Sequence, residues 1–185
     1  MTSSPVVILL AAGRGERFLA SGGATHKLDA LLNGRPVLAH TLAAVEAAGL
    51  PWHLVRPDGG TDGMGESIAL GVRATADAPG WLILPGDLPL VQPDSLRRVA
   101  QALTETGVVV PVYRQQAGHP VGFGRAWRSH LLDLSGDTGA RTIVQRARAE
   151  DRVTILKLDD VGVVQDIDRV ADLVKVQQLL NDCVK

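Results

Sequence analysis

Seven apolar residues, Val6 to Ala12, run without a break and stop at Gly13. A strand with one wet face alternates polar and apolar residues. An unbroken apolar run instead calls for a strand covered on both faces, as in a parallel sheet flanked by helices. A second run, "WLILP" from Trp81 to Pro85, ends in the same manner at Gly86 and Asp87. Parallel strands need crossover connections, so helices must carry the chain between such runs.

The segments between them supply those helices. In "GRPVLAHTLAAVEAAG", Pro36 suits a first helical position, Leu38, Leu42 and Val45 share a face, and Gly49 supplies a stop. "WHLVR" (52–56) reads as a short strand and "ESIALGVRATAD" as a helix. "PDSLRRVAQALTETG" sets Leu96, Val99, Ala100 and Leu103 on one helical face, with Gly107 beyond its end. In the second half, "VVVPVYR", "HPVGFG", "RVTILKLD" and "VGVVQDID" read as strands, with helical stretches around Trp127 to Leu134 and Thr138 to Ala149. Pro111 and Pro120 point to edge or bulge positions for their strands. Leu173, Val176, Leu180 and Cys183 form a stripe on a closing helix. The expectation is one α/β domain over residues 1–185, in which 1–107 binds a nucleotide and 108–185 binds an acceptor.

Charge narrows the function. Lys and Arg number 19 against 20 Asp and Glu, which excludes a polyanion-binding surface and leaves no nucleic-acid partner in view. The one cysteine cannot form an internal disulfide and fits a reducing compartment. No basic segment precedes the first apolar run, and no run is long enough to span a bilayer. A cytoplasmic protein without a membrane partner is expected.

In open parallel sheets, ligands bind beyond the carboxyl ends of the strands, so the loops there carry the chemistry. "AAGRGERF" follows the first run. Gly13 and Gly15 let successive N–H groups turn inward as an anion nest, and Arg14 and Arg17 add charge that suits a phosphate. Lys27, in "THKLD", reaches toward the same place. Neither familiar nucleotide motif is present. Phe18 stands where the dinucleotide fingerprint needs its third glycine, and Lys27 is followed by Leu28 where a P-loop needs Ser or Thr. Asp87 lies between Pro85 and Pro89 in "LPGDLPL"; it fits a Mg²⁺ ligand, an ion that takes one or two carboxylates and fills its shell with water and phosphate oxygens, or a turn aspartate. In "GMGESIALGV", Gly63 and Gly65 precede a helix and fit either a base-reading loop with Ser67 or a plain capped turn.

In order and spacing, "LLAAGRGERF", "HKL", "GRPVLAHTL", "GMGESIALGV", "LPGDLPLV", "GHPVGFG", "GDTGAR" and "DIDRVADL" resemble the molybdenum-cofactor nucleotidylyltransferases, the MobA-like NTP transferases. The resemblance is nearest to the cytidylyltransferase branch, because the first loop reads "LAAG" and not "LAGG". It implies a three-layer Rossmann-like nucleotidyltransferase fold, related to nucleotide-diphospho-sugar transferases, with a mostly parallel central sheet. It also implies transfer of CMP from CTP to a phosphorylated pterin cofactor with release of pyrophosphate. On this resemblance Leu10, Ala11, Ala12, Gly13, Arg14, Gly15, Gly63, Gly65, Ser67 and Gly86 bind the nucleotide. Arg17, Lys27 and Asp87 are catalytic, Asp87 and Asp168 hold Mg²⁺ with Asp166 nearby, and His119 and Arg141 face the acceptor. Asp168 also fits a plain helix cap, and His119 a structural turn. An apo-molybdoenzyme or its chaperone would receive the product.

The chain departs from the family pattern in two places. "LASGGATH" lengthens the loop between Arg17 and Lys27 with small residues, as a mobile lid would, and Arg169-Val170 stands where the family often has Thr-Pro. Two other functions remain compatible with the residues. One is nucleotidyl transfer to a sugar phosphate or phosphorylated alcohol; the other is a non-catalytic nucleotide sensor or cofactor-delivery chaperone.

Overall fold

In the computed structural model, which describes residues 4–183, the first apolar run forms β1 (Val6–Leu10), with Val7, Ile8 and Leu9 fully buried. The chain continues through α1 (Glu16–Ala20), a small hairpin of β2 (Leu31–Leu32) and β3 (Arg35–Pro36), α2 (Val37–Ala48), β4 (Trp52–Val55), α3 (Met64–Ala74), β5 (Gly80–Pro85) and α4 (Pro93–Ala102). The second half holds β6 (Val108–Tyr113), β7 (Gln116–Ala117), β8 (Val121–Gly124), α5 (Arg128–Leu132), α6 (Arg141–Ala149), β9 (Val153–Lys157) and α7 (Val170–Cys183). The extreme ends of the expected 1–185 domain, residues 1–3 and 184–185, lie outside the described residues.

Seven strands share one sheet in the order β4-β1-β5-β8-β6-β7, with β9 on the other edge of β6. β4, β1, β5, β6 and β9 run the same way, while β7 and β8 are reversed. The mostly parallel sheet expected from the apolar runs is therefore present. Alternate residues of β1 feed two cores: Val7 and Leu9 pack with α2, α4 and α7, while Ile8 and Leu10 pack with α3, α5 and α6. Leu82 and Leu84 of β5 join the first core, and Trp81 and Ile83 the second. This two-sided demand explains why neither strand alternates in sequence. Leu10 pairs with Pro85, so β1 and β5 end side by side and deliver their two loops to one place.

Several sequence expectations are corrected. "VGVVQDID" is not a strand but a 3₁₀ turn, Val161–Val163, followed by an irregular segment. Its alternation arises because Asp160 accepts a bond from the Gly162 N–H and closes a turn, which buries Val163. Pro111 lies in an interior strand and not at an edge. β6 pairs with β9 along one side, and Pro111 falls where its antiparallel partner changes from β8 to β7, so the missing N–H leaves no gap in a ladder. Pro120 precedes β8 and is not part of it. Pro36 is the N-cap of α2 and pairs with Leu31, so the helix begins at Val37. The stretch from Thr138 becomes helical only at Arg141. Cys183 is exposed, and Val176 is the residue of its stripe that is fully buried.

The segment between Arg17 and Lys27 is mostly exposed but is anchored at two points, Phe18 and Ser21. Phe18 is buried and the Gly23 backbone lies on its ring. Ser21 Oγ donates to the Phe18 carbonyl and accepts from the Val170 N–H at the start of α7. Among the described residues, no helix is long and apolar enough to cross a membrane.

Candidate active site

A cleft of about 520 Å³ opens beyond the carboxyl ends of β1 and β5. One end of it suits a phosphate chain. Leu10, Ala12, Gly13, Arg14, Gly15 and Arg17 line its wall, while Ala11 lies beneath with its N–H donated to the Val55 carbonyl at 2.9 Å. Gly15 takes a left-handed conformation, φ 65°, which turns the chain into α1. Among the described residues, the N–H groups of Gly13, Arg14 and Gly15 donate to no other backbone group. They are a run of free donors on the wall of a cleft.

His26 holds this loop, and nothing in the sequence reading singled it out. Its Nε2 donates to the Gly13 carbonyl at 2.5 Å, and its Nδ1 accepts from the Leu28 N–H at 3.1 Å. Together these bonds place the ring proton on Nε2. They also tie the glycine loop to the residue beside Lys27. The only signal available was its position in "THKLD".

Lys27 and Asp87 meet on the cleft floor. Lys27 Nζ lies 2.8 Å from Asp87 Oδ2, with side chains only 18% and 14% exposed. Gly86 lies on the wall beside them; it donates its N–H to the Leu10 carbonyl and accepts from the buried Thr41 hydroxyl at 2.7 Å, which fixes the Asp87 backbone. Asp168 faces the same cleft and accepts from Arg17 Nη1 at 3.3 Å. It is not the cap of α7. The N–H groups of Asp168 and Arg169 both donate to Asp172, whose carboxylate caps the helix from inside. The Ile167 N–H donates to the Asp87 carbonyl at 3.1 Å, so the segment carrying Asp166 and Asp168 runs directly against Asp87. The Asp166 carboxyl is held above the usual carboxylate range, first by partial loss of solvent and then by the Asp87 and Asp172 carboxylates, with Lys27 opposing.

The far end of the cleft is formed by Thr61, Asp62, Gly63, Met64, Ser67 and Asp137. Ser67 Oγ lies 2.6 Å from Thr61 Oγ1 and donates to the Gly63 carbonyl. Gly65 is off the wall. Its N–H and that of Glu66 both donate to the Gly136 carbonyl, so the loop of residues 135–138 caps α3 and takes two donors of its first turn. "GDTGAR" thus braces the nucleotide half and contributes Asp137 to the cleft. A methyl added at Gly65 would collide with the Thr138 carbonyl oxygen. Gly65→Ala is accordingly expected to cost about 1–3 kcal/mol through overpacking, read as a thermal midpoint lowered by several degrees.

His119 and Arg141 do not line the cleft. Arg141 is exposed at the start of α6. His119 precedes β8, donates its N–H to the Val163 carbonyl, and has its imidazole pushed below the ordinary 6.5 by burial, with the Asp87 carboxylate acting the other way. An unfolded His119 therefore takes up a proton that the folded one resists. Its contribution to stability is complete above pH 6.5 and is lost as pH falls through the lower folded value. Urea midpoints at about pH 7.5 and about pH 5.5 are expected to differ less in His119→Gln than in the wild type.

The cleft wall carries the carboxylates of Glu16, Asp62, Asp87, Asp137 and Asp168 against the cations of Arg14, Arg17 and Lys27. Negative groups therefore outnumber positive ones in a site whose donors suit a phosphate chain. The mismatch fits a divalent cation, because Asp87 and Asp168 offer hard oxygen donors to the cleft from two adjoining segments. Among the described residues, no three His, Cys, Asp or Glu side chains form a cage that could hold a metal alone.

The sequence model of the MobA-like NTP transferase domain matches residues 7–153, ending before the segment of Asp166 and Asp168. The bifunctional protein GlmU of Xanthomonas campestris pv. campestris is 29% identical over 89% of this chain, which spans only 38% of that protein. Among solved structures, a nucleotidyl transferase from Methanothermobacter superposes with a TM-score of 0.81 at 22% identity, covering 97% of this chain and 99% of the other. Rv0371c of Mycobacterium tuberculosis, solved in complex with manganese, superposes with a TM-score of 0.72 at 22% identity, covering 95% and 99%. At those identities the structures establish the shared fold.

Proposed function

Because the chain belongs to the MobA-like NTP transferase family, and so to the nucleotidyltransferase enzymes, we propose that it transfers CMP from CTP to a phosphate of molybdopterin carrying its molybdenum. Pyrophosphate is released, and Mg²⁺ is the resident ion. The observation that carries the reading is the convergence of Arg17, Lys27, Asp87 and Asp168 on one cleft, although Arg17 and Asp168 are 151 residues apart in the chain. CTP is carried by the "LAAG" of the sequence resemblance, and the pterin by "GMGESIALGV" together with "GHPVGFG" and "GDTGAR". The manganese bound by the Mycobacterium tuberculosis relative supports a divalent ion in the shared fold.

In this reading the free N–H groups of Gly13, Arg14 and Gly15 and the Arg17 guanidinium take the triphosphate. Lys27 exchanges Asp87 for the phosphate being attacked, and its charge balances the negative charge that grows there. Asp87 and Asp168 hold the ion, which when bound neutralises phosphate oxygens and draws the triphosphate into an otherwise acidic cleft. An acceptor phosphate oxygen bonds to the α-phosphorus while the bond from that phosphorus to the pyrophosphate oxygen breaks. Thr61, Ser67 and Gly63 border the base. Residues 1–107 supply most of the nucleotide site, with Asp137 and Asp168 added from beyond them; the acceptor side is assigned to 108–185, and the roles of His119 and Arg141 there rest on the sequence resemblance alone, since neither lines the cleft.

The test is pyrophosphate release with each of the four NTPs, Mg²⁺ and molybdopterin. CTP is expected to be clearly preferred. Release with a sugar 1-phosphate and none with molybdopterin would move the acceptor; tight CTP binding without release from any acceptor would leave a sensor or delivery chaperone.

A further inference from the structure

Between β9 and α7 lie the twelve residues 158–169, with one short 3₁₀ turn as their only regular structure. Asp166 and Asp168 sit near the end of this stretch. Near its start is Asp160, a carboxylate only 3% exposed. Among the described residues no cation pairs with it. Its Oδ2 accepts from the Ser95 hydroxyl at 2.7 Å and the Gln92 N–H at 3.0 Å, and its Oδ1 accepts from the Gly162 N–H at 2.8 Å. Ser95 and Gln92 belong to the N-terminal turn of α4, whose unpaired donors favour negative charge. Burying a charge without a partner is costly, so three directed donors and a helix start are the compensation.

The two elements that Asp160 joins are also those that carry the carboxylates of the cleft. The chain from Asp87 to Ser95 leaves β5 and enters α4, and residues 160–168 run against it. Ile167 N–H to the Asp87 carbonyl is one pin between them, and Asp160 to Gln92 and Ser95 is the other. Between the pins, the Gly162 backbone lies on the Leu90 carbonyl with no room for a Cβ. We propose that Asp160 is a positioning residue: its buried carboxylate locks residues 160–168 onto the start of α4 and thereby sets the separation of Asp168 and Asp166 from Asp87. The proposal rests on the reading of Asp87 and Asp168 as the metal ligands. Asparagine cannot reproduce the lock, because its NH₂ group would face a donor at one of the three contacts.

Mn²⁺ titration followed by electron paramagnetic resonance, with a non-hydrolysable CTP analogue present, tests this on the full chain. Asp160→Asn is expected to weaken Mn²⁺ binding by about tenfold, the scale for groups that orient metal ligands, while the KM for CTP at saturating Mn²⁺ stays near the wild-type value. Ser95→Ala should weaken it less and in the same direction. Thermal midpoints measured in parallel separate a loss of stability from a loss of metal geometry. A folded Asp160→Asn that binds Mn²⁺ as the wild type does overturns the proposal, whatever its thermal midpoint. If Asp160→Asn does not fold, unchanged Mn²⁺ affinity in Ser95→Ala overturns it instead. A wild type that binds no Mn²⁺ with the nucleotide removes the metal reading and this proposal together, whereas equal binding by wild type and variants removes only the proposal.

Discussion

Asp87→Ala is expected to reduce pyrophosphate release by about a thousandfold, the upper range for losing one well-placed electrostatic group. Asp87 is the carboxylate at the tip of β5, fixed from behind by the Gly86 bonds to Leu10 and Thr41. Asp168 does not replace it, because its carboxylate already faces Arg17. The substitution also leaves the Lys27 ammonium without its partner in a part-buried position. Because the cleft admits water to that ammonium, the fold should survive with a modest fall in thermal midpoint. Asp87→Asn keeps the shape and removes the charge, so an equal loss of activity in both variants, with half-activating Mg²⁺ raised in each, would show that charge and not shape matters. Wild-type turnover in either would remove Asp87 from the mechanism.

Lys27→Ala should lower the same rate by about a hundredfold, and it should differ from Asp87→Ala in its metal dependence. With the ammonium gone, both Asp87 oxygens are free for an ion, so half-activating Mg²⁺ should stay level or fall. The two residues are in contact, and the double variant should lose less than the two single losses combined. A Lys27→Ala variant that needs more Mg²⁺ than the wild type would contradict a lysine that competes with the ion for Asp87.

The first half of the fold was legible because its strands are covered on both faces. Val6 to Leu10 and Trp81 to Pro85 have no polar residue to spare, and the position of Asp87 just beyond the second follows directly. The second half hid more. "VGVVQDID" imitates a strand because a turn closed by the Asp160 side chain also places apolar residues two apart. Pro111 signalled an edge, yet the break between β7 and β8 makes an interior site tolerable. In the site, the residue types were readable but the contacts were not. Lys27 meets Asp87 from 60 residues away, and only folding shows that each carries the other's countercharge. His26 and Asp160 escaped notice for a related reason. His26 bonds backbone groups, and Asp160 two backbone N–H groups and the Ser95 hydroxyl, in arrangements that no local pattern records.

The burial of Phe18 bears on how substrate arrives. α1 sits on the rim with that ring lodged beneath it, so swinging the helix outward would drag an aromatic side chain into water. The largely exposed Arg17 side chain on the same rim can reorient within about a nanosecond without moving that helix. Association of the nucleotide with a cleft edged by such a charge should respond to ionic strength.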